Sequence, residues 1–186
     1  MKPTFFIIDT ETTGLDPERC EIIQFAGVKV CDGLILDDRI NVKIKPQHIE
    51  TASSTALRIN GYTEKGWADA DSPEEAALTI TDWLTGDEGG IGYPPDFKRI
   101  LVGHNIRFDY RFLRPFLEEY ERAIPFSKIC TKDLSMALLS SYGLERFRLS
   151  DCCSFMGVVN AKPHDALSDA LACADLLLQL LSRFHY

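Results

Sequence analysis

The sequence predicts an α/β fold: a mixed sheet that opens with a three-stranded antiparallel meander and is flanked by helices. Three observations carry this. Phe5-Phe6-Ile7-Ile8 is a run of large apolar residues near the amino terminus, as expected of a strand buried on both faces. Ile22 to Val30 and Leu34 to Ile44 have strand composition and are separated only by Cys31-Asp32-Gly33, whose Asp-Gly pair marks a hairpin. The short connections among these strands leave no place for the helix that follows the first strand of a dinucleotide fold, and no glycine-rich phosphate loop is present there.

The elements follow in order. Thr13-Gly14 turns the chain out of the first strand, and Leu15 to Glu21, polar and carrying Pro17, reads as a surface loop. Pro46 to Trp67 is irregular except for a helical piece around Ser54–Ile59 that stops at Asn60-Gly61. Ser72-Pro73-Glu74-Glu75 starts a helix running to about Leu84, with serine as cap, proline in the first turn and acids at the positive end. Four glycines and two prolines make Gly86 to Phe97 a loop. Arg99 to Val102 is a short buried strand. Gly103-His104-Asn105 then turns into a helix from about Ile106 to Arg122, with Phe108, Phe112, Leu113 and Phe116 on its inner side. Phe126 to Cys130 is the last strand, and helices follow over Lys132–Ser141, Leu149–Met156 and Asp165–Phe184.

At 186 residues the chain fits a single domain spanning 1–186, with enough length for a full core. No apolar run approaches the roughly 20 residues of a membrane span, so no membrane partner is expected. Met1-Lys2-Pro3 enters the first strand directly, so no secretory leader is expected. Six cysteines without C-x-x-C spacing read as free thiols in a reducing compartment, which points to the cytoplasm. The net charge of −8 excludes nucleic-acid binding through a broad basic surface. It leaves room for a nucleic-acid enzyme, because acids that bind cations can present a locally positive site.

The first strand runs into two carboxylates, Asp9 and Glu11. Side chains alternate along a strand, so both acids leave the same face, where like charges resist joint ionisation. A divalent cation would remove the conflict and turn the pair into ligands. The plainer alternative is a strand end with two solvated acids before a Thr-Thr-Gly turn. Asp109 lies among the aromatics of Phe108-Asp109-Tyr110-Arg111-Phe112, where it needs a metal, a pairing with Arg107 or Arg111, or exposure on the polar face. Asp169 lies in the first turns of the last helix, where charge alone would be worth roughly 0.3–1 kcal/mol. Pro163 keeps Lys162 out of helical geometry and Asp165 is a plausible cap. His164 therefore falls in the loop just outside the helix, either solvated or leaning toward the site of Asp169.

Three blocks occur in order: Asp9-Thr10-Glu11-Thr12-Thr13-Gly14-Leu15, Val102-Gly103-His104-Asn105-Ile106-Arg107-Phe108-Asp109, and His164-Asp165-Ala166-Leu167-Ser168-Asp169. Together they closely resemble the sequence blocks of the DEDDh exonucleases. This is the DnaQ-like family, which includes the proofreading subunit of bacterial DNA polymerase III and ribonuclease T. Ala56 to Thr63 also resembles the family's connector. The resemblance implies a ribonuclease H-like mixed sheet, the antiparallel meander extended by parallel strands and flanked by helices. It implies a metal-dependent 3′–5′ exonuclease releasing nucleoside 5′-monophosphates, with two divalent cations, Mg²⁺ or Mn²⁺, held by Asp9, Glu11, Asp109 and Asp169.

His164 would be the general base. The tyrosine class of relatives carries its tyrosine four residues before the last aspartate, where this chain has Asp165. Substrate contacts would come from Thr12, Leu15 and Phe108, with core packing an equal alternative for Phe108. His104 and Asn105 would tie their loop to the sheet. The implied partner is a single-stranded DNA or RNA 3′ end, with a DNA polymerase or a second copy of the chain as further candidates. The chain stops soon after its last helix, which favours a free-standing enzyme or a subunit held through its folded surface. Two other readings stand beside this one. One is a catalytically silent nucleic-acid- or protein-binding module on the same fold. The other is an aspartyl phosphatase, since Asp9-x-Glu11-x-Thr13 faintly matches D-x-D-x-T.

Overall fold

The computed structural model describes residues 3–85, 99–122 and 127–183. Five strands, β1 (Thr4–Thr12), β2 (Ile22–Cys31), β3 (Leu34–Lys43), β4 (Arg99–Gly103) and β5 (Ser127–Cys130), form one sheet in the order β3-β2-β1-β4-β5. The meander is antiparallel, and β4 and β5 add to β1 in parallel, as expected. The helices are α1 (Ser54–Asn60), α2 (Pro73–Thr85), α3 (Ile106–Glu119), α4 (Thr131–Leu139), α5 (Leu149–Met156) and α6 (Ala166–Arg183). No helix of the described residues is long and apolar enough to cross a membrane. All six cysteines are free.

Local chemistry sets these boundaries. Asp32 and Gly33 both have positive φ, 53° and 76°, the geometry of a tight hairpin between β2 and β3. Ser72 and Glu75 form a reciprocal cap at α2: Ser72 N–H and Oγ donate to the Glu75 carboxylate, and Glu75 N–H donates to Ser72 Oγ. Gly61, at φ 69°, ends α1 where Asn60-Gly61 predicted. Two ends differ from expectation. α3 stops at Glu119, not Arg122, because Glu121 enters the left-handed region and Arg122 N–H turns back to the Leu117 carbonyl. α4 stops at Leu139 and tightens into a 3₁₀ turn over Ser140–Tyr142. The loop expected over Gly86–Phe97 lies outside the described residues, as do Phe126 and Phe184 at expected element ends.

The sheet is covered on both faces. Phe6, Ile8, Phe25 and Leu101 pack against Ala76, Ile80 and Leu84 of α2 and Ile106, Phe112 and Leu113 of α3. On the other face, Ile7, Val28, Val30 and Val102 meet Ala170, Cys173, Ala174 and Leu177 of α6. The far side of α6, through Ala172, Leu176 and Leu180, is covered in turn by Cys152, Cys153 and Met156 of α5 and by Leu139. That is why apolar residues occupy two faces of α6, while Asp175 and Ser182 remain exposed.

β1 does not end with its apolar run. It continues through Asp9 to Thr12, because β2 goes on pairing with it, Asp9 opposite Ala26 and Glu11 opposite Gln24. Its parallel neighbour β4 is registered only from Thr4 to Ile7. The acids therefore occupy a strand segment that has one neighbour.

Gly27 on β2 is a point of close approach. A Cβ there would lie 2.6 Å from Trp83 Cη2 and 2.8 Å from the Ile7 carbonyl oxygen. Trp83 is fixed by its Nε1 bond to Asp38 and by the edge of Phe6. Gly27→Ala is expected to lower unfolding free energy by about 1–3 kcal/mol, as overpacking does, measured by denaturant titration at unchanged m-value.

Candidate active site

Asp9 and Glu11 share the face of β1 that carries Ile7, so they project toward the amino-terminal end of α6. Asp169, in the first turn of that helix, meets them there. One carboxylate oxygen from each of Asp9, Glu11 and Asp169 lies within 4.8 Å of the others. Burial pushes the Asp9 carboxyl well above its usual range, and the charges of Asp109, Asp169 and Glu11 push it further. Burial likewise raises Glu11 to about 8, aided first by Asp169. Such crowding is costly unless protons or a cation neutralise it, and hard oxygen donors at this spacing suit a divalent ion.

Asp109 arrives from the opposite face of the sheet. It is buried in the first turn of α3, and its Oδ1 accepts both Thr10 N–H (3.0 Å) and Thr10 Oγ–H (2.8 Å). The carboxylate thus takes up a strand amide beyond the reach of β4. Arg107 is engaged elsewhere, with Asp133 at 3.4 Å. Burial raises Asp109 to about 6, while the bonds from Thr10 hold it lower than burial alone would. Its charge helps to raise Asp9, but the trio of close oxygens is Asp9, Glu11 and Asp169.

His164 lies just before α6 with φ 65°, and its backbone N–H donates to Asp169 Oδ2 at 3.1 Å. That bond ties the loop to the acids, while the imidazole is exposed. Asp165 caps α6 as expected, its Oδ1 accepting Ser168 N–H at 3.3 Å. His104 is structural: Nε2–H donates to the Phe147 carbonyl at 2.9 Å and Nδ1 meets the Thr131 hydroxyl at 3.0 Å. Burial lowers its pKa, in keeping with a neutral ring.

Beside the acids opens a cleft of about 580 Å³ lined by Glu11, Thr12, Leu15, Ile59, Asn60 and Phe108, among others. Leu15 is 80% exposed there, an apolar side chain presented to solvent at the mouth of a polar site. Phe108 packs on Phe112 with ring centroids 5.0 Å apart and also lines the cleft. The Thr12 side chain is buried, Oγ–H donating to the Gly14 carbonyl, and its own carbonyl accepts Asn60 Nδ2–H at 3.0 Å. Thr12 therefore offers only backbone to the cleft wall.

Sequence reading missed three residues that shape the site: Thr10, which docks Asp109, Asn60, which anchors the end of β1, and Asn160, whose Nδ2–H donates to Asp169 Oδ1. Thr10 had a detectable signal, being the one side chain between the two acids and thus on the other face of the strand. Asn160 had none.

Comparison with known proteins agrees with this geometry. The RNase_T exonuclease family model matches residues 6–177. The PolC-type DNA polymerase III of Thermotoga petrophila is 32% identical over 183 residues, which cover 96% of this chain but 12% of that protein's length. The DNA polymerase III epsilon subunit of Aquifex aeolicus is 24% identical over 184 residues, covering 98% of this chain and 83% of the relative. Among solved structures, Escherichia coli exonuclease I in complex with a dT13 oligonucleotide superposes with a TM-score of 0.80 at 20% identity, over 97% of this chain and 41% of that one. At that identity the likeness is one of fold.

The raised carboxyls set a pH dependence. With Glu11 near 8, the native state keeps a proton that the unfolded chain releases above its usual range. That stabilisation is present in mild acid and is lost as pH rises toward 8. Metal-free protein is expected to melt at progressively lower temperature from pH 5 to pH 8. Glu11→Gln should flatten the slope and raise Tm at pH 8 by about 2–8 °C, and it should shrink the extra stability conferred by Mg²⁺ or Mn²⁺. Thermal melts across pH, with and without cation, measure all three effects.

Proposed function

The chain belongs to the RNase_T exonuclease family, the DnaQ-like exonucleases, and on that premise we propose that it is a metal-dependent 3′–5′ exonuclease of the DEDDh type. It hydrolyses the terminal phosphodiester of a DNA or RNA strand and releases nucleoside 5′-monophosphates. The observation that carries this reading is the convergence of Asp9, Glu11 and Asp169 oxygens within 4.8 Å, with buried Asp109 alongside, at the edge of an open cleft.

Two divalent cations, when bound, would activate the attacking water, neutralise the phosphoryl oxygens and support the leaving alkoxide. Asp9, Glu11 and Asp169 would hold one and Asp9 with Asp109 the other. The protein's own groups do the rest. Asp9 and Glu11, raised by burial and by the acids around them, would ionise on binding a cation. His164, in an exposed loop whose backbone is tied to Asp169, takes the proton of the attacking water as its imidazole swings to the cluster. Leu15 wedges against the terminal base, the Thr12 backbone meets the terminal sugar, and Phe108 supports the base by stacking, a sequence-tolerant contact.

The acidic surface makes binding depend on cation and on the strand end, not on a basic track. The bound oligonucleotide in the exonuclease I complex supports a single-stranded substrate. The polymerase III relatives support a polymerase as partner, although this chain spans only 12% of the PolC-type proteins. Free cysteines and a nucleic-acid substrate favour the cytoplasm as the place of action.

Labelled single-stranded DNA and RNA oligomers, incubated with Mg²⁺ or Mn²⁺, test the proposal. Mononucleotides are expected from the 3′ end and none after chelation. Asp9→Ala should lose on the order of 10²–10³-fold or more in rate, the several kcal/mol such ligands support. His164→Ala should lose about 10²–10⁴-fold. A full rate for His164→Ala at neutral pH removes the base assignment, and release from the 5′ end removes the polarity.

A further inference from the structure

Asp169 does not stand free above the strand acids. Asn160 Nδ2–H donates to its Oδ1 and His164 N–H donates to its Oδ2. Behind Asn160 the bonds continue: Ser168 Oγ–H donates to Asn160 Oδ1 at 2.8 Å, and Lys162 N–H donates to Ser168 Oγ at 2.9 Å. The direction of this chain is dictated by chemistry. An ionised carboxylate can only accept, so the amide must turn its nitrogen toward Asp169, which leaves its oxygen for the serine hydroxyl. The Asn160 amide therefore has one orientation, nitrogen toward Asp169 and oxygen toward Ser168.

The geometry points to Asn160 as a positioning residue for the metal site. Asp169 faces Asp9 and Glu11, and one carboxylate oxygen from each of the three lies within 4.8 Å of the others. Held through both oxygens by the Asn160 amide and the His164 N–H, the carboxylate stays aimed at the strand. Because the second oxygen holds the His164 amide, the same arrangement registers the histidine loop against the ligand. A cation that draws on Asp169 thereby acts on a carboxylate already oriented and on a loop already docked. Partners of this kind commonly account for 10–100-fold in metal affinity or activity. This inference rests on the exonuclease reading of the site, but it concerns how the ligand is held and is measurable without turnover.

The test is direct Mn²⁺ binding, by electron paramagnetic resonance and calorimetry, to the full chain and to Asn160→Ala. The variant should bind Mn²⁺ about 10–100-fold more weakly, and the Mn²⁺ concentration for half-maximal rate should rise by the same factor. The oligonucleotide KM at saturating Mn²⁺ should stay within about twofold, which a general loosening of the fold would not allow. Affinity within about twofold of the parent overturns the proposal, as does failure of the parent to bind Mn²⁺. If Asn160→Ala does not fold, Ser168→Ala is measured instead: it releases the amide from behind, a weaker Mn²⁺ site is again expected, and parental affinity there overturns the proposal. If the parent binds Mn²⁺ and Asn160→Ala weakens it, yet no nucleotide is released from any strand, the positioning role stands and the exonuclease reading falls.

Discussion

Beyond Ile7, strand β1 is paired with β2 alone. β4 has already left it through Gly103, whose missing side chain lets the turn pass 3.2 Å, measured from where a Cβ would be, above the Ile8 carbonyl. The released edge leaves the Thr10 amide pointing away from the meander with no strand to receive it. A buried amide left unbonded would cost about 1–3 kcal/mol. Asp109 receives it, and that single bond brings an acid from α3 to the strand that already carries Asp9 and Glu11. The site thus follows from an early end to one parallel pairing.

The consequence is a concentration of carboxyl groups that no ion pair among the described residues neutralises. Asp9 and Glu11 are crowded by Asp109 and Asp169, and no arginine or lysine figures among the causes of their shifts. Elsewhere the chain pairs its charges locally, as Lys29 does with Asp38 and Arg114 with Glu118. Leaving this one cluster unpaired is destabilising, and on the proposed reading what it offers in exchange is affinity for a cation. Stability and function pull against each other at the same four side chains, and their point of balance moves with pH.

Much of this was readable from residues, and the limits have physical causes. The meander, its Asp-Gly turn and the cap at Ser72 are local signals, so they came through at nearly residue precision. The acids on one face followed from the period of a strand. What could not be read was the partnership of elements distant in sequence. The sequence offers Asp109 a metal, an arginine nearby or exposure, but does not pair it with its hydrogen-bond partner Thr10, 99 residues away. Asn160 lies in a stretch with no periodicity, and its role depends on a loop fold that local propensity does not encode. The end of α3 was missed for the opposite reason: Tyr120 to Arg122 continue a helical pattern, but Glu121 adopts a left-handed turn that few residue types announce.

Asp109 and Asp169 hold equivalent places in their helices. Each is the fourth residue, counted from Ile106 in α3 and from Ala166 in α6. Both helices start where the chain turns over the carboxyl edge of β1, one on each face of the sheet. A carboxylate in the first turn sits at the positive end of the helix dipole, which favours its ionised form by roughly 0.3–1 kcal/mol, more when partly buried. The strand acids have no such help, being fixed to β1 with like charges around them, and these are the groups pushed furthest toward protonation. Of the buried acids, Asp109 is raised only to about 6, because the bonds from Thr10 oppose burial, whereas Glu11 is raised to about 8. On the proposed metal reading, a bound cation would favour the ionised forms of the strand carboxylates, which burial and neighbouring acids otherwise hold protonated. Cation binding at neutral pH should therefore be accompanied by proton release that comes from β1.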